Sequence, residues 1–251
     1  MDADGTLRVA VSGTAGVGVA TMVRALHRRF GVAATARPDD ADADADLLVR
    51  VIGAQERGPD RVLLDRCRRR GGPPVVVIAG KADARPTADR LARAAADRLG
   101  LPVTPVSGLL AGVDLDDAQA AALRRWADRG RDAGRGFGVP VIAAMFPDGA
   151  TDPADQRMRA DVLSSVGRTG LVAAMRALVD SPELDAAGLS AHLRGISGID
   201  ALIPAVRAAV PAIVERRRVL ALAEVRLSAA RGHRREDAER WLAGAVGTGA
   251  R

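Results

Sequence analysis

A lysine and an aspartate stand one residue apart where a strongly apolar run ends. Residues 75–78 read Val-Val-Val-Ile, and Lys81 and Asp83 follow within the sequence Gly-Lys-Ala-Asp. Four consecutive β-branched residues predict a strand buried on both faces of a parallel sheet, and ligands bind at the carboxyl ends of such strands. The spacing therefore predicts a binding site for a polar ligand. The alternative interpretation is that both residues only close the turn after the strand.

Lys81 is the only lysine among the 37 basic residues of the chain. Lysine carries its charge on a slim, unbranched stem, whereas arginine ends in a planar fork. The two side chains cannot replace each other where the stem must fit a narrow space. The one retained lysine therefore favours a specific contact at position 81.

A glycine-rich turn near the start of the chain is the second candidate. Residues 7–12 predict a strand, Gly13, Gly16 and Gly18 follow it, and a helix with an apolar face begins after them. Strand, turn and helix N-terminus together aim backbone N–H groups at an anion. The spacing from Gly13 to Gly18 is that of the Walker A phosphate-binding loop.

The turn lacks the two side chains that act in such loops. Val19 takes the position of the lysine that contacts the β- and γ-phosphates, and Ala20 that of the hydroxyl that ligates magnesium. Thr21 comes one residue later, a rotation of about 100° on a helix. Two alternatives stay open. One is a dinucleotide-binding turn, although the glycine order is not Gly-x-Gly-x-x-Gly, and the other is a tight turn that binds nothing.

The composition indicates a globular protein and disfavours several partners. Hydrophobic residues make up 48% of the 251 residues, which supports a sizeable core. Aromatic residues are 2% and tyrosine is absent, so few side chains can stack on nucleic-acid bases. No run reaches the roughly 18 apolar residues of a membrane span, and the first residues lack the pattern of a signal peptide. With a single cysteine as well, we expect a cytoplasmic protein without a nucleic-acid partner.

The remaining pattern predicts an α/β domain followed by a smaller helical region. Predicted strands at 32–36 and 47–52 alternate with predicted helices at 60–70, 87–99 and 115–129. Further helices are predicted at 158–166, 170–180, 189–195, 200–230 and 235–245. The alternation stops after the glycine-rich residues 130–138. We therefore predict an α/β domain of residues 1–134 and a helical domain of residues 135–251.

Several segments together resemble actinobacterial dynamin-like GTPases. These are the glycine-rich first turn, the strand that ends in Lys81 and Asp83, residues 104–107, and the segments 166–170 and 197–202. The resemblance runs over most of the chain. It implies a Ras-like G domain, which is a P-loop NTPase with a parallel sheet and flanking helices, followed by a helical region.

The resemblance also implies a guanine-nucleotide site. Asp83 would accept hydrogen bonds from the N1 and N2 groups of guanine, and the stem of Lys81 would lie along the base. Ser107 would belong to the loop that completes the base pocket. The three glycines of the first turn would lie against the phosphates of GTP or GDP.

The departures from the family lie at its catalytic and metal positions. Besides Val19 and Ala20, the interval between Gly18 and Lys81 lacks the Asp-x-x-Gly that senses the γ-phosphate. We therefore expect a pseudo-GTPase without catalytic residues or bound magnesium. It would bind guanine nucleotide weakly, without hydrolysis, and act as a regulatory or assembly partner of a dynamin-like GTPase.

The alternative function is a nucleotide-free interaction module. Apolar residues between 200 and 230 recur at steps of three and four, which places them on one face of a helix. An ordinary bundle core would use the same face. If the face is free, the expected partners are a second copy or an intact dynamin-like GTPase, with membrane contact only through that partner.

Overall fold

The structure is a computed structural model that describes residues 6–38, 45–132, 152–232, 236–237 and 239–241. Its strands are β1 Arg8–Gly13, β2 Ala33–Ala36, β3 Leu47–Ile52, β4 Val75–Gly80 and β5 Val103–Val106. They form one sheet in the order β2-β1-β3-β4-β5, and all neighbouring pairs are parallel. The predicted α/β class with a parallel sheet is confirmed.

Helices flank this sheet and continue after it. They are α1 Val19–Phe30, α2 Gly58–Arg70, α3 Ala88–Leu99, α4 Gly108–Ala111, α5 Asp117–Asp132, α6 Pro153–Asp180, α7 Ala186–Gly195 and α8 Leu202–Ala230. Short 3-10 helices cover Ala82–Ala84 and Ile199–Ala201. The predicted helices up to residue 230 are thereby confirmed, with small shifts of their ends. The helix predicted at 235–245 lies mostly outside the described residues.

The central strands are buried on both faces, as their apolar runs predict. All six residues of β3 are buried, and in β4 only Val75 is partly exposed. Each strand pairs with neighbours on both sides, because β3 lies between β1 and β4 and β4 lies between β3 and β5. This position explains why their sequences read as continuous hydrophobic runs rather than as alternating ones.

The strand order contains one reversal of direction. The chain leaves β1 through α1 to β2 on one side and then returns to place β3 on the other side of β1. The order 2-1-3-4-5 is one of the two common doubly wound arrangements. In such sheets ligands bind outside the carboxyl ends of the strands. The Gly13–Gly18 turn and the Lys81–Asp83 segment both follow such ends.

Each face of the sheet is covered by helices from different parts of the chain. On one face, Met22 and Leu26 of α1 pack with strand residues such as Val11 and Ile78. On the other, Leu64 of α2 and the inner residues of α3 pack against Ile52, Val77 and Ala79. A third cluster is formed by the four helices α4, α5, α6 and α7, and it includes Leu123, Trp126, Val162 and Leu171.

The last helix also belongs to the core of the sheet. Leu202 and Ile213 of α8 are buried in the same cluster as Val11 and Met22. At the amino ends of the strands, Arg217 on α8 donates two hydrogen bonds to the buried carboxylate of Asp46, at 2.8 and 2.6 Å. The helices after residue 152 therefore share hydrophobic clusters with the residues before 133. The predicted boundary near residue 134 stays a prediction, because it falls at 133–151, outside the described residues.

Helix α6 is interrupted where two separate helices were predicted. It runs as one element from Pro153 to Asp180, but Gly167 has φ 67° and ψ 179°, which is not helical. This backbone region is open essentially to glycine alone. The prediction of two helices, at 158–166 and 170–180, thus matches the two halves, while the join between them is a single residue.

One described helix, α6, is long and apolar enough to span a membrane, and α7 and α8, which are bent by 48°, pass the same test as a pair. Half of the apolar window of α6 is buried inside the protein. Packing within the core accounts for that apolar composition, since Val162, Val166 and Leu171 are buried completely. No clear membrane-spanning element results, and the cytoplasmic location stays a prediction.

Candidate functional site

A cavity of about 220 Å³ lies at the carboxyl edge of the sheet. It is formed by the end of the glycine-rich turn and the start of α1, the end of β4 with the residues after it, and the start of α4. The residues that matter for its chemistry are Gly18, Thr21, Lys81, Asp83, Gly108 and Leu109. Two segments about sixty residues apart in sequence thus meet in one place, at the edge where the parallel topology puts the ends of all strands.

Lys81 is held in an uncommon backbone conformation beside this cavity. Its φ is 57°, and it is the only residue other than glycine with positive φ in the part of the chain that the structure describes. Its Cε lies 3.9 Å from the position of a β-carbon added to Gly18. The stem of Lys81 therefore extends across the glycine-rich turn. Backbone outliers of this kind persist where the surrounding structure holds them, often at functional sites.

Asp83 lies in the 3-10 helix that follows Lys81, and this turn is closed by side chains. Arg85 donates a hydrogen bond to the carbonyl oxygen of Gly80. Thr169 of α6 donates one from Oγ1 to the carbonyl oxygen of Asp83, at 2.6 Å. Within the described residues, neither the Asp83 carboxylate nor the Lys81 ammonium has a hydrogen-bond or ion-pair partner. Both charged groups are therefore available to a ligand.

The glycine-rich turn folds around Val17. A β-carbon added to Gly13 would stand 2.6 Å from the carbonyl oxygen of Val51 and 2.7 Å from Val17 Cγ2. One added to Gly80 would stand 2.7 Å from the carbonyl oxygen of Val17. Gly13 and Gly80 are thus required by close packing of the turn against the strand ends, and Gly13 does not line the cavity.

The two positions that contact phosphate and magnesium in Walker A loops hold apolar residues here, and the structure gives neither of them a polar group. Val19 is half-buried and packs with the hydrophobic cluster of the sheet, and Ala20 is exposed. No side chain caps the N-terminus of α1. Thr21 lines the cavity instead. Gly16 has φ 84° and open space around it, and it does not line the cavity.

Ser107 has a structural role. Its Oγ accepts a hydrogen bond from the N–H of Leu110 at 3.2 Å and so caps α4. Its own N–H donates to the carbonyl oxygen of Ser197 at 2.8 Å. Gly108 and Leu109, the next residues, line the cavity. Of the six predicted site residues, the structure brings together Gly18, Lys81 and Asp83, whereas Gly13, Gly16 and Ser107 lie outside the cavity lining.

Sequence reasoning missed two contributions to this region. The first is the segment of α6 around Gly167 and Thr169, which contacts the Asp83 turn. Its signal is present, because Gly167 and Gly170 stand close together in an otherwise helical run. The second is Arg50, which has no such signal beyond being a lone charge within an apolar strand.

Arg50 is completely buried beneath the glycine-rich turn. Its Nε donates to Asp60 Oδ1 at 2.7 Å, and its Nη1 donates to Ser12 Oγ at 3.1 Å. The other carboxylate oxygen of Asp60 accepts the N–H of Arg57 at 2.7 Å. A buried charge is tolerated only when it is paired in this way. The cluster joins β1, β3 and α2 below the turn and leaves no charge for a ligand.

A second, larger cavity of about 630 Å³ lies between α5 and the start of α6. Its carboxylates are already used. Asp152 accepts the N–H groups of Ala154 and Asp155. Asp155 accepts from Trp126 Nε1 at 3.1 Å and from Arg159. The smaller cavity at the sheet edge is therefore the candidate site.

The side chains at the sheet edge can bind a polar ligand. Lys81 supplies a cation, Asp83 supplies two acceptor oxygens, and Gly108 and Leu109 supply an apolar and backbone wall. In the described ranges no three His, Cys, Asp or Glu residues are grouped so that they could hold a metal ion. No protein-family model matches the chain, and no curated protein matches it at a significant level.

Proposed function

We propose that this protein binds a guanine nucleotide through its base at the sheet-edge cavity and does not hydrolyse GTP. One observation carries the proposal. Lys81 and Asp83, both without partners among the described residues, border the same cavity as Gly18. The parallel α/β sheet is compatible with a degenerate G-domain-like P-loop NTPase.

Guanine is the base that suits a free carboxylate. Its N1–H and exocyclic N2–H₂ groups are adjacent donors, and the two oxygens of Asp83 are the matching acceptors. Adenine presents a lone pair at N1, which a carboxylate repels. The cavity of about 220 Å³ is smaller than the roughly 300–1,000 Å³ of typical ligand pockets. It therefore has room for a base, while sugar and phosphates extend toward the glycine-rich turn.

The phosphates are held weakly in this proposal. Val19 and Ala20 provide neither an ammonium for the γ-phosphate nor a hydroxyl for magnesium. Phosphoryl transfer depends almost wholly on positioning and charge stabilisation. The diphosphate and the triphosphate should accordingly bind alike, and magnesium should add little.

The test uses a substitution that replaces one oxygen of Asp83 by nitrogen and should therefore change which base is preferred. We would measure binding of GDP, XDP and ADP to the wild type and to Asp83→Asn by calorimetry. Asparagine offers one acceptor and one donor, which suit the N1–H and O2 of xanthine. The wild type should prefer GDP and the variant XDP. Asp89→Asn, on an exposed residue of α3, is the matched control. Equal binding of ADP and GDP by the wild type would refute the proposal.

A second candidate is an interaction module that uses α8, alone or as the assembly partner of a dynamin-like GTPase. Its apolar residues Val210, Val214, Val219, Leu220 and Leu227 are 44% or more exposed. Light scattering tests self-association through this face. A protein that stays monomeric at high micromolar concentration, and does not co-purify with an intact dynamin-like GTPase, would rule this function out.

A further inference from the structure

The interruption of α6 lies directly against the candidate site. We call residues 166–170 the break segment. A β-carbon added to Gly167 would stand 3.2 Å from Leu109 Cδ2 and 3.7 Å from Asp83 Oδ2. Both of those residues line the cavity. The backbone of the break segment therefore approaches the carboxylate that is proposed to read the base.

The same segment also holds the backbone of the Asp83 turn. Thr169 Oγ1 donates to the carbonyl oxygen of Asp83 at 2.6 Å, across 86 residues of sequence. Without this bond the turn is closed by its own short-range hydrogen bonds, from the N–H groups of Ala84 and Arg85, and by the side chain of Arg85. Thr169 thus gives the turn a long-range hydrogen bond to a neighbouring element.

The break segment is itself anchored in the helical core. Val166 is completely buried, and a β-carbon added to Gly170 would stand 2.5 Å from Leu110 Cδ2. Leu110 belongs to the same hydrophobic cluster as Val166 and Leu171. A tightly packed element cannot shift continuously, because interiors are close-packed. The position of Thr169 is therefore set by the packing of α4 and α6.

We propose that the break segment positions Asp83 for base recognition, with Thr169 as the positioning residue, so that base binding and the packing of α6 are coupled. This inference rests on the proposed guanine site. The hydrogen bond from Thr169 reaches the main chain of Asp83 and not its carboxylate, so its effect on a ligand would come through the direction in which the carboxylate points. Because coupling between two sites is reciprocal, a bound base should in turn stabilise the break segment.

The first measurement needs no nucleotide. Hydrogen exchange of the Ala84 and Arg85 amides reports how well the turn is held, since both donate within it. Thr169→Val removes the hydroxyl at nearly constant shape and should speed exchange at these two amides. Thr169→Ser keeps the hydroxyl and should restore the slow rate. Thr35→Val makes the same chemical change at an exposed residue of β2 and should leave both amides unchanged.

The second measurement separates positioning from general loosening. IDP lacks the exocyclic amine of guanine, so the ratio of GDP to IDP affinity reports whether Asp83 makes both hydrogen bonds. Thr169→Val should weaken GDP binding by about 2- to 10-fold, the effect of one hydrogen bond. The GDP-to-IDP ratio should fall toward one, and Thr169→Ser should restore it. Non-specific destabilisation would weaken both ligands equally and leave the ratio unchanged.

The outcomes distinguish the two proposals. If the wild type binds no GDP, the guanine site is wrong and base positioning by Thr169 is wrong with it, whatever the exchange rates show. If the wild type binds GDP but Thr169→Val changes neither the exchange rates nor the GDP-to-IDP ratio, the positioning role alone is overturned. Faster exchange together with a lower ratio, both reversed by serine, is the expected result.

Discussion

The two edges of the same sheet treat charged residues in opposite ways. At the amino edge, Asp46 precedes β3 and is 1% exposed. It accepts two hydrogen bonds from Arg217 and one from the N–H of Arg8. Burial raises the pKa of Asp46, but the hydrogen bonds from Arg217 and Arg8 outweigh it and lower the pKa to about 2.

At the carboxyl edge, Lys81 and Asp83 remain without partners among the described residues, although they stand close to each other and to a cavity. The comparison shows that the type of a charged residue does not by itself tell whether the residue stabilises the fold or binds a ligand. At the amino edge the Asp46 carboxylate is used to fasten α8 to the sheet through Arg217. At the carboxyl edge the main chain of the Asp83 turn is fastened by Thr169 and Arg85, while the charged groups of Lys81 and Asp83 are left for a ligand.

The largest effect is expected from breaking the amino edge. Arg217→Ala leaves the Asp46 carboxylate buried with only Arg8 beside it. Loss of one partner of a buried pair is costly, and because Arg217 is 39% exposed we expect about 2–3 kcal/mol less unfolding free energy. Urea denaturation measures this. Arg218→Ala, which breaks an exposed pair with Glu215, should cost much less, because exposed ion pairs contribute little to stability. Equal losses would contradict the comparison.

Breaking the carboxyl edge should change binding and spare stability. Asp83→Asn should weaken GDP binding by about 1.5–3 kcal/mol, the range for a hydrogen bond to a charged group. Its unfolding free energy should change by less than about 0.5 kcal/mol, as for a surface substitution. Calorimetry measures the GDP affinity, and urea denaturation of the same preparation measures the unfolding free energy. A stability loss as large as that of Arg217→Ala would mean that Asp83 is structural.

Acid should weaken the contact between Asp46 and Arg217 at the amino edge. The pKa of Asp46 is lowered from 3.8 to about 2 in the folded protein. Its contribution is therefore complete above pH 3.8 and is lost as the pH falls toward 2. We expect about 1–2 kcal/mol from this group. Glu56, whose pKa the hydrogen bond from Arg98 lowers to about 2, titrates in the same range. Subtracting the unfolding free energy of Asp46→Asn from that of the wild type at each pH gives the contribution of Asp46 alone.

The smallest effect is expected from magnesium and the γ-phosphate. GTP and GDP should bind within about twofold of each other, with or without magnesium, because positions 19 and 20 hold neither phosphate nor metal. Phosphate release should equal the protein-free background. Magnesium-dependent turnover that disappears in Asp83→Asn would show a working GTPase. It would contradict the proposal that the site binds the base without acting on the phosphates.

Much of the fold could be predicted from local sequence. The apolar runs at 47–52 and 75–78 predict buried strands because parallel strands within a sheet are covered on both faces. The helix at 87–99 follows from its apolar spacing. The candidate site was predictable in part for the same reason. A residue that follows a parallel strand lies at the carboxyl edge, which places Gly18, Lys81 and Asp83 at the same edge before any contact is known.

The sequence by itself thus determined the elements, the edge at which the site lies and the loss of the phosphate-binding side chains. Only the tertiary structure decided the partners. The hydroxyl of Ser107 caps α4, and Arg50 donates a hydrogen bond to Asp60. Arg217 donates to Asp46, which is 171 residues away in sequence, and Thr169 in the break segment donates to the Asp83 turn. The reason is physical. Strand and helix formation follow from local periodicity, whereas pairing between distant polar groups depends on how the elements pack, which no local pattern encodes.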